Sequence, residues 1–296
     1  NRHEDSPRTG MCTDLETVRK DLVEIKKAAS NFVRLCHYPH HPAELDLCDE
    51  RGLMVMDEVP LYWWKGWGDG KATCRKKLAA ARRQVAAMIA RDVNHPSIVL
   101  WSVSNETEEW RKEVVSGNAE LVRLARRLDS TRPATHVSSQ WTKHPAFEED
   151  DVVCVNAYPT WDGYAANPCY KVADSAKFWR QSLTKLHAKC PDKPILVTEF
   201  GYPSVEGMAD NPLGEDRQAE AIRTEFRGMG ASCVCGTIIW CWADHPWPEE
   251  NFIRYMTTSP FGVVTRDRHP LRAYGVARSL FRGPSLDGRA PTRPGR

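Results

Sequence analysis

Arg91-Asp92-Val93-Asn94-His95-Pro96-Ser97-Ile98-Val99-Leu100-Trp101-Ser102-Val103-Ser104-Asn105-Glu106 is the stretch from which the rest of the chain can be read. Ile98 to Val103 is apolar and uncharged, with Pro96 just ahead of it, so it predicts a buried strand. Strands with no polar face belong to parallel sheets covered by helices. The run ends abruptly in Asn105 and Glu106. That is the carboxyl end of the strand, where α/β barrels carry their chemistry. A second run, Pro194 to Thr198, ends the same way in Glu199-Phe200-Gly201.

Working outward, strands and helices alternate. Thr13-Asp14-Leu15-Glu16 reads as a capping box with Thr13 as N-cap, opening an amphipathic helix to about Ala29. Asn31 to Cys36 is a strand that delivers Arg34 and then His37-Tyr38-Pro39. Pro42 to Glu50 is a short helix started by proline and stopped at Gly52. Leu53 to Met56 is a strand running into Asp57-Glu58, and a Trp-rich loop follows, in which Trp63, Trp64 and Trp67 are expected to be exposed. Helices are expected over Lys71–Arg91, Thr107–Leu128, Ser175–Lys189, Glu215–Met229 and Pro270–Phe281. Further strands are expected at Ala134–Val137, at Val152–Val155 (leading to Asn156 and Tyr158) and at Cys233–Trp240. The pattern predicts an α/β fold with a parallel sheet, a (β/α)8 TIM barrel. Seven strands are complete, and His3-Glu4 looks like the end of an eighth. An open doubly wound sheet fits less well, because no Gly-rich phosphate loop follows an early strand. Residues 1–283 are read as one domain, and 284–296, rich in Pro, Gly and Arg, as a disordered tail.

The bulk properties agree. The chain has 296 residues, and such a barrel takes about 250. A formal charge of +2 gives no reason to expect nucleic acid or a membrane surface as partner, and no apolar run approaches a membrane span. The ten cysteines form no pair of CxxC motifs. Buried free thiols are expected at Cys36, Cys154, Cys233, Cys235 and Cys241, which favours a reducing, cytoplasmic location. His136, His144 and His187 lie in no ligand-spaced cluster, so no metal is assigned.

Two carboxylates at the ends of two buried strands are the minimum equipment for glycoside hydrolysis, one as acid/base and one as nucleophile. The local motifs sharpen this. Asn1-Arg2-His3-Glu4, Asn31 to Arg34 with His37-Tyr38-Pro39 and Asp57-Glu58, the Arg91–Glu106 block and Thr198-Glu199-Phe200-Gly201 together resemble glycoside hydrolase family 2, the β-galactosidase and β-glucuronidase family. Trp240-Cys241-Trp242-Ala243-Asp244 and Thr265-Arg266-Asp267-Arg268 also look like the family.

The resemblance implies a retaining exo-β-glycosidase on a barrel, with a carbohydrate as partner and no required cofactor. It implies Glu106 as acid/base and Glu199 as nucleophile. Asn105 would contact the sugar 2-hydroxyl, and Arg34 would hold Glu199 ionised. His37, Asn156 and Tyr158 would bind the sugar, and Trp240 would form the floor beneath it. Asp57 and Glu58 would support that set, while Trp242 and Asp244 are divided between packing and contact. Some β-galactosidases of the family use Mg²⁺, but nothing here compels it, and a homo-oligomer is compatible with this reading. Glucuronidases of the family carry an Asn-x-Lys near the last loop, where this chain reads Met256-Thr257-Thr258-Ser259-Pro260-Phe261, and Asp162 stands where they have a tyrosine. These departures favour an uncharged glycone such as galactose. A glucuronide or other hexoside is the alternative, and a truncated barrel that binds sugar with little turnover is another. Full-length members place β-sandwich domains before the barrel, and none is seen in this sequence.

Overall fold

A computed structural model of the chain describes residues 1–161, 171–209, 211–230, 233–246 and 258–283. Asp162, Met256, Thr257 and the expected tail at 284–296 lie outside the described residues. Seven parallel strands follow one another around a nearly closed barrel in the order of the sequence. They are β1 (Phe32–Leu35), β2 (Met54–Glu58), β3 (Ile98–Asn105), β4 (Ala134–Ser138), β5 (Val153–Asn156), β6 (Ile195–Phe200) and β7 (Val234–Ile239). The connecting helices are α1 (Leu15–Lys27), α2 (Pro42–Arg51), α3 (Lys71–Asp92), α4 (Lys112–Leu128), α5 (Val172–Lys189), α6 (Glu215–Gly228) and α7 (Arg272–Arg282). A short antiparallel pair, β8 (His245–Pro246) with β9 (Thr258–Ser259), decorates the end of β7. No helix among the described residues is long and apolar enough to cross a membrane.

Strand alternation explains the two apolar layers. One apolar layer inside the barrel takes one side chain from each strand: Met56, Leu100, Val137, Cys154, Leu196 and Ile238 are buried together, with Phe32 packed against them. Their neighbours Val55, Trp101, Val103, Val153, Val155, Ile195 and Val197 belong to the larger core shared with the helices. Strands β4, β5 and β6 are buried at every residue; β5 and β6 accordingly open on apolar runs, Val153–Val155 and Ile195–Val197, whereas β4 carries Thr135, His136 and Ser138 and reads weakly.

Asn1 to His3 occupy the seam between β1 and β7. Arg2 bridges Leu35 in parallel, and the backbone of Asn1 accepts from Trp242 N–H (2.9 Å). The Arg2 guanidinium reaches across to Glu44 of α2 (2.8 Å) and Asp21 of α1 (3.3 Å), all of them buried. Beyond Asn1 the seam opens into an apolar groove of about 350 Å³, lined by Phe32, Val33, Phe226, Ile238 and Phe281 among others.

Several local expectations change. The N-cap of α1 is Asp14, not Thr13: the Asp14 carboxylate accepts from the N–H groups of Glu16 and Thr17, while Thr13 donates its hydroxyl to Glu4. Both residue types cap helices, and the carboxylate here adds favourable charge at the helix start. Thr107 to Arg111 are not helical; α4 begins at Lys112, leaving a loop directly after Glu106. Trp64 is not exposed but fully buried, its ring against Gly117 of α4, whereas Trp67 is exposed. Cys235 is exposed and Cys233 half-buried, while Cys36, Cys154 and Cys241 are buried; all five are free thiols.

Gly201 is required by packing. A Cβ there would stand 2.3 Å from the carbonyl oxygen of Trp240, a backbone atom that cannot step aside alone. Gly201→Ala is therefore expected to displace the junction of β6 and β7. The expected cost is about 1–3 kcal/mol of stability, read as a lower midpoint in urea.

Candidate active site

The ends of β1, β2, β3, β5, β6 and β7 deliver their polar residues to one mouth. Asn105 closes β3 and pairs in register with Val137 of β4. The next residue, Glu106, bends away with a positive φ of 49° while its N–H donates to the Val137 carbonyl (2.9 Å). That turn carries the carboxylate out of the sheet plane and over the mouth. Glu199 stands one residue before the end of β6, opposite Asn156 of β5.

Arg34 is the hub. It is fully buried on β1, and its Nη1 donates to Glu199 Oε1 (2.7 Å) and to Asn1 Oδ1 (3.1 Å). Its Nη2 donates to Glu58 Oε1 (2.8 Å) and Asn105 Oδ1 (2.8 Å), and its Nε to Glu58 Oε2 (3.0 Å). A planar fork with five donors suits this task; an ammonium could not span these acceptors. Glu58 also accepts from Ser102 Oγ (2.6 Å) and lies 2.7 Å from His37 Nδ1. Arg34 and Glu58 thus compensate each other in a region from which water is excluded.

Both oxygens of Glu199 are held, Oε1 by Arg34 and Oε2 by the Tyr158 hydroxyl (2.5 Å). Burial, then the charges of Glu199 and Glu106, push the Tyr158 phenol well above its usual range, so it stays a donor. Glu106 is held differently. Asn156 Nδ2 donates to its Oε1 (2.8 Å), and Trp63 Nε1 to its Oε2 (3.3 Å). Burial first, and the nearby charge of Glu199 second, raise the Glu106 carboxyl to about 7. Asn156 is oriented by Thr198, whose hydroxyl donates to its Oδ1 (2.7 Å). The environments push the two carboxyl groups apart in character, one anchored to a guanidinium and the other holding its proton near neutrality.

Rings wall the pocket. His37 stacks on Trp240 with centroids 5.3 Å apart and planes at 16°. His3 meets Trp240 edge-on (5.3 Å) and packs on His245 (4.3 Å).

The eight site residues expected from the sequence, Arg34, His37, Asn105, Glu106, Asn156, Tyr158, Glu199 and Trp240, therefore come together. Asp57 does not join them. It alternates with Glu58 along β2 and faces Asp92 of α3; burial and the Asp92 charge raise its carboxyl well above the usual range. Trp242 packs in the core against Tyr274, and Asp244 accepts from Gly262 N–H (2.7 Å), so each has a structural partner of its own. Sequence reading missed Asn1 as an Arg34 partner and Trp63 as a donor to Glu106. The first lies far from Arg34 in sequence, and the second sits in an irregular loop with no periodicity to place it.

Comparison with known proteins agrees with this geometry. The family model described as glycosyl hydrolases family 2, TIM barrel domain, matches residues 1–282. A β-glucuronidase of Paenibacillus borealis is 31% identical over 293 residues, covering 95% of this chain and 48% of that protein. The β-glucuronidase of Dictyoglomus thermophilum superposes with a TM-score of 0.87 at 27% identity, covering 96% of this chain and 50% of that one. A β-galacturonidase from Eisenbergiella tayi bound to galacturonate superposes with a TM-score of 0.83 at 26% identity, covering 95% and 50%. The chain spans about half the length of the relatives it matches. A family match over nearly the whole chain and a barrel with its polar residues at one mouth give one conclusion: this chain belongs to glycosyl hydrolases family 2, and residues 1–282 match its TIM barrel domain.

Proposed function

We propose that the chain is the catalytic barrel of a retaining exo-β-glycosidase, with Glu199 as nucleophile and Glu106 as acid/base. The observation that carries this reading is the unequal treatment of the two carboxyl groups: Arg34 and Tyr158 grip Glu199, while Glu106 is held near pH 7. In the first step a Glu199 oxygen attacks the anomeric carbon, the glycosidic C–O bond breaks, and Glu106 passes its proton to the departing oxygen. Esterification removes the Glu199 charge, which lowers the proton affinity of Glu106. Glu106 then takes a proton from water, and the water oxygen displaces Glu199 from the sugar. Asn105 uses its Oδ1 to accept from Arg34 and Asn156, leaving its amide hydrogens for a sugar hydroxyl. Trp240 and His37 offer flat faces to the ring's C–H groups. No step needs a metal.

For the glycone, the names of the relatives favour a β-uronide, glucuronide or galacturonide, over the β-galactoside that the missing Asn-x-Lys suggested. A panel of nitrophenyl β-glycosides tests both levels. Turnover of the glucuronide or galacturonide at least tenfold above the galactoside is expected, and the reverse order restores the galactoside.

The acid role fixes the pH dependence. Glu106 carries its proton below about 7 and loses it above, so kcat/KM is expected to fall as pH rises through about 7. The Glu106→Gln variant, assayed on an aryl glycoside whose leaving group needs no proton, is expected to lose that alkaline limb. An unchanged limb would assign it to another group.

A further inference from the structure

Three ligand-type side chains meet at the edge of the pocket, and sugar hydrolysis uses only His37 among them, and that for its ring face. His3, Cys36 and His37 each offer one donor atom, and these atoms lie within 4.8 Å of one another. Three atoms so spaced share a point no more than about 2.8 Å from each. Bonds from zinc to imidazole nitrogen and thiolate sulfur are roughly 2.0–2.3 Å, so displacements of about 0.5–0.8 Å close the site.

The hydrogen bonds select the free nitrogens. His37 Nδ1 lies 2.7 Å from Glu58 Oε1, and His3 Nδ1 lies 3.4 Å from the Tyr38 hydroxyl. His37 Nδ1 also lies 3.2 Å from Arg34 Nη2, so in both rings Nδ1 is engaged, and Nε2 is the atom the site proposed below would use. His3 Nε2 is buried and has no hydrogen-bond partner among the described residues. A carboxylate behind the Nδ1 of His37 repeats the support found behind metal-bound histidines, where it orients the ring and raises its basicity. Cys36 is buried, and its Sγ donates to the Arg2 carbonyl (3.2 Å). The Arg34 charge nearby is offset by Glu58 and Glu199.

We propose that His3, Cys36 and His37 form a binding site for a borderline-soft cation of the zinc class, and that a metal seated there blocks the pocket. Two imidazoles and a thiolate select such an ion over Mg²⁺ or Ca²⁺, which take oxygen ligands. On binding, the sulfur–metal bond forms as the S–H bond breaks, and the thiol proton leaves to solvent. Three protein ligands leave the fourth position to water. The blocking follows from position: His37 Nε2 is 4.0 Å from Glu199 Oε1, and the His37 ring lies on Trp240. This half rests on the glycosidase reading, whereas the binding half does not.

The test is titration of the full, reduced, metal-free chain with Co²⁺, following the thiolate-to-cobalt charge-transfer band in the near ultraviolet. One Co²⁺ per chain is expected, displaced by Zn²⁺ and not by Mg²⁺. Cys36→Ser is expected to abolish the band and weaken binding at least about tenfold. The exposed thiols are the control: Cys12→Ser with Cys235→Ser keeps band and affinity. No band in the parent chain, or a band that survives Cys36→Ser, overturns the site. Should Cys36→Ser not fold, His3→Gln replaces it, and unchanged Co²⁺ affinity in that variant is equally fatal. In the glycoside assay, turnover is expected to fall in step with zinc occupancy; full turnover at full occupancy overturns the blocking half. A metal-free chain that turns over no glycoside counts against the glycosidase reading, and the cobalt band still decides the site.

Discussion

Glu199→Gln is expected to lower kcat for aryl glycosides by about 10⁴-fold or more while the chain stays folded. The amide has the size and shape of the carboxylate, so it can keep an oxygen toward Arg34 Nη1, now 2.7 Å from Oε1. Arg34 retains Glu58, which already engages both Nε and Nη2. What disappears is the nucleophile itself: an amide oxygen cannot form the glycosyl ester, and the first bond-breaking step is lost with it. The loss should persist with the best leaving groups, because it does not concern proton donation. That separates it from a Glu106 variant, whose defect shrinks as the leaving group improves. Steady-state kinetics with a far-ultraviolet circular dichroism spectrum decide the matter. A folded variant that loses less than about tenfold would remove Glu199 from the nucleophile's place.

Arg34→Ala is expected to show the largest loss of stability, about 3–5 kcal/mol. The side chain is fully buried and ties Glu58, Glu199, Asn105 and Asn1 together. Its removal leaves the buried Glu58 with His37 and Ser102 as its partners and no guanidinium beside it, and frees one oxygen of Glu199. Burial, no longer opposed by the Arg34 charge, then pushes the Glu58 carboxyl upward, and the variant should be more stable at acid than at neutral pH as Glu58 takes up a proton. The sign follows from linkage: raised native values mean stability present at low pH and lost as pH rises through them. Adding Glu58→Gln should recover part of the loss, since the charge left unpaired is then gone. Urea midpoints of the two single variants, the double variant and the parent form the cycle. Strictly additive losses would show that Arg34 and Glu58 do not act as a pair.

Strand positions were most legible where a strand is almost wholly buried and its apolar run gives way to a polar residue. Ile98 to Asn105 and Ile195 to Phe200 are the clearest cases. Two-residue strands such as β8 and β9 carry no such signal. The cap of α1 was ambiguous because Thr13 and Asp14 are both competent, and only the fold decides which carbonyl starts the helix. Trp64 and Trp67 look alike in a Gly-rich loop; the first is buried because Gly117 of α4 makes room for its ring. In the site, the choice of Glu106 and Glu199 as candidates followed from chain position at two strand ends together with the family resemblance of the motifs around them. Their common environment did not, since it depends on Arg34 and Asn156 reaching across from other strands. The doubling Asp57-Glu58 shows the limit most plainly: adjacent acids on a strand face opposite sides, and the sequence does not say which side is the mouth.

The most direct test of the two-carboxylate account is mechanism-based trapping. The chain is incubated with the 2,4-dinitrophenyl 2-deoxy-2-fluoro-β-glycoside of the sugar it turns over, and the digested protein is mapped by mass spectrometry. Fluorine at C2 destabilises the oxocarbenium-like transition state of both steps, while the activated leaving group restores the first, so the glycosyl ester accumulates. The expected result is one sugar per chain, on Glu199. A label on another residue, or turnover of the parent glycoside with inversion at the anomeric carbon and no covalent adduct, would contradict the account.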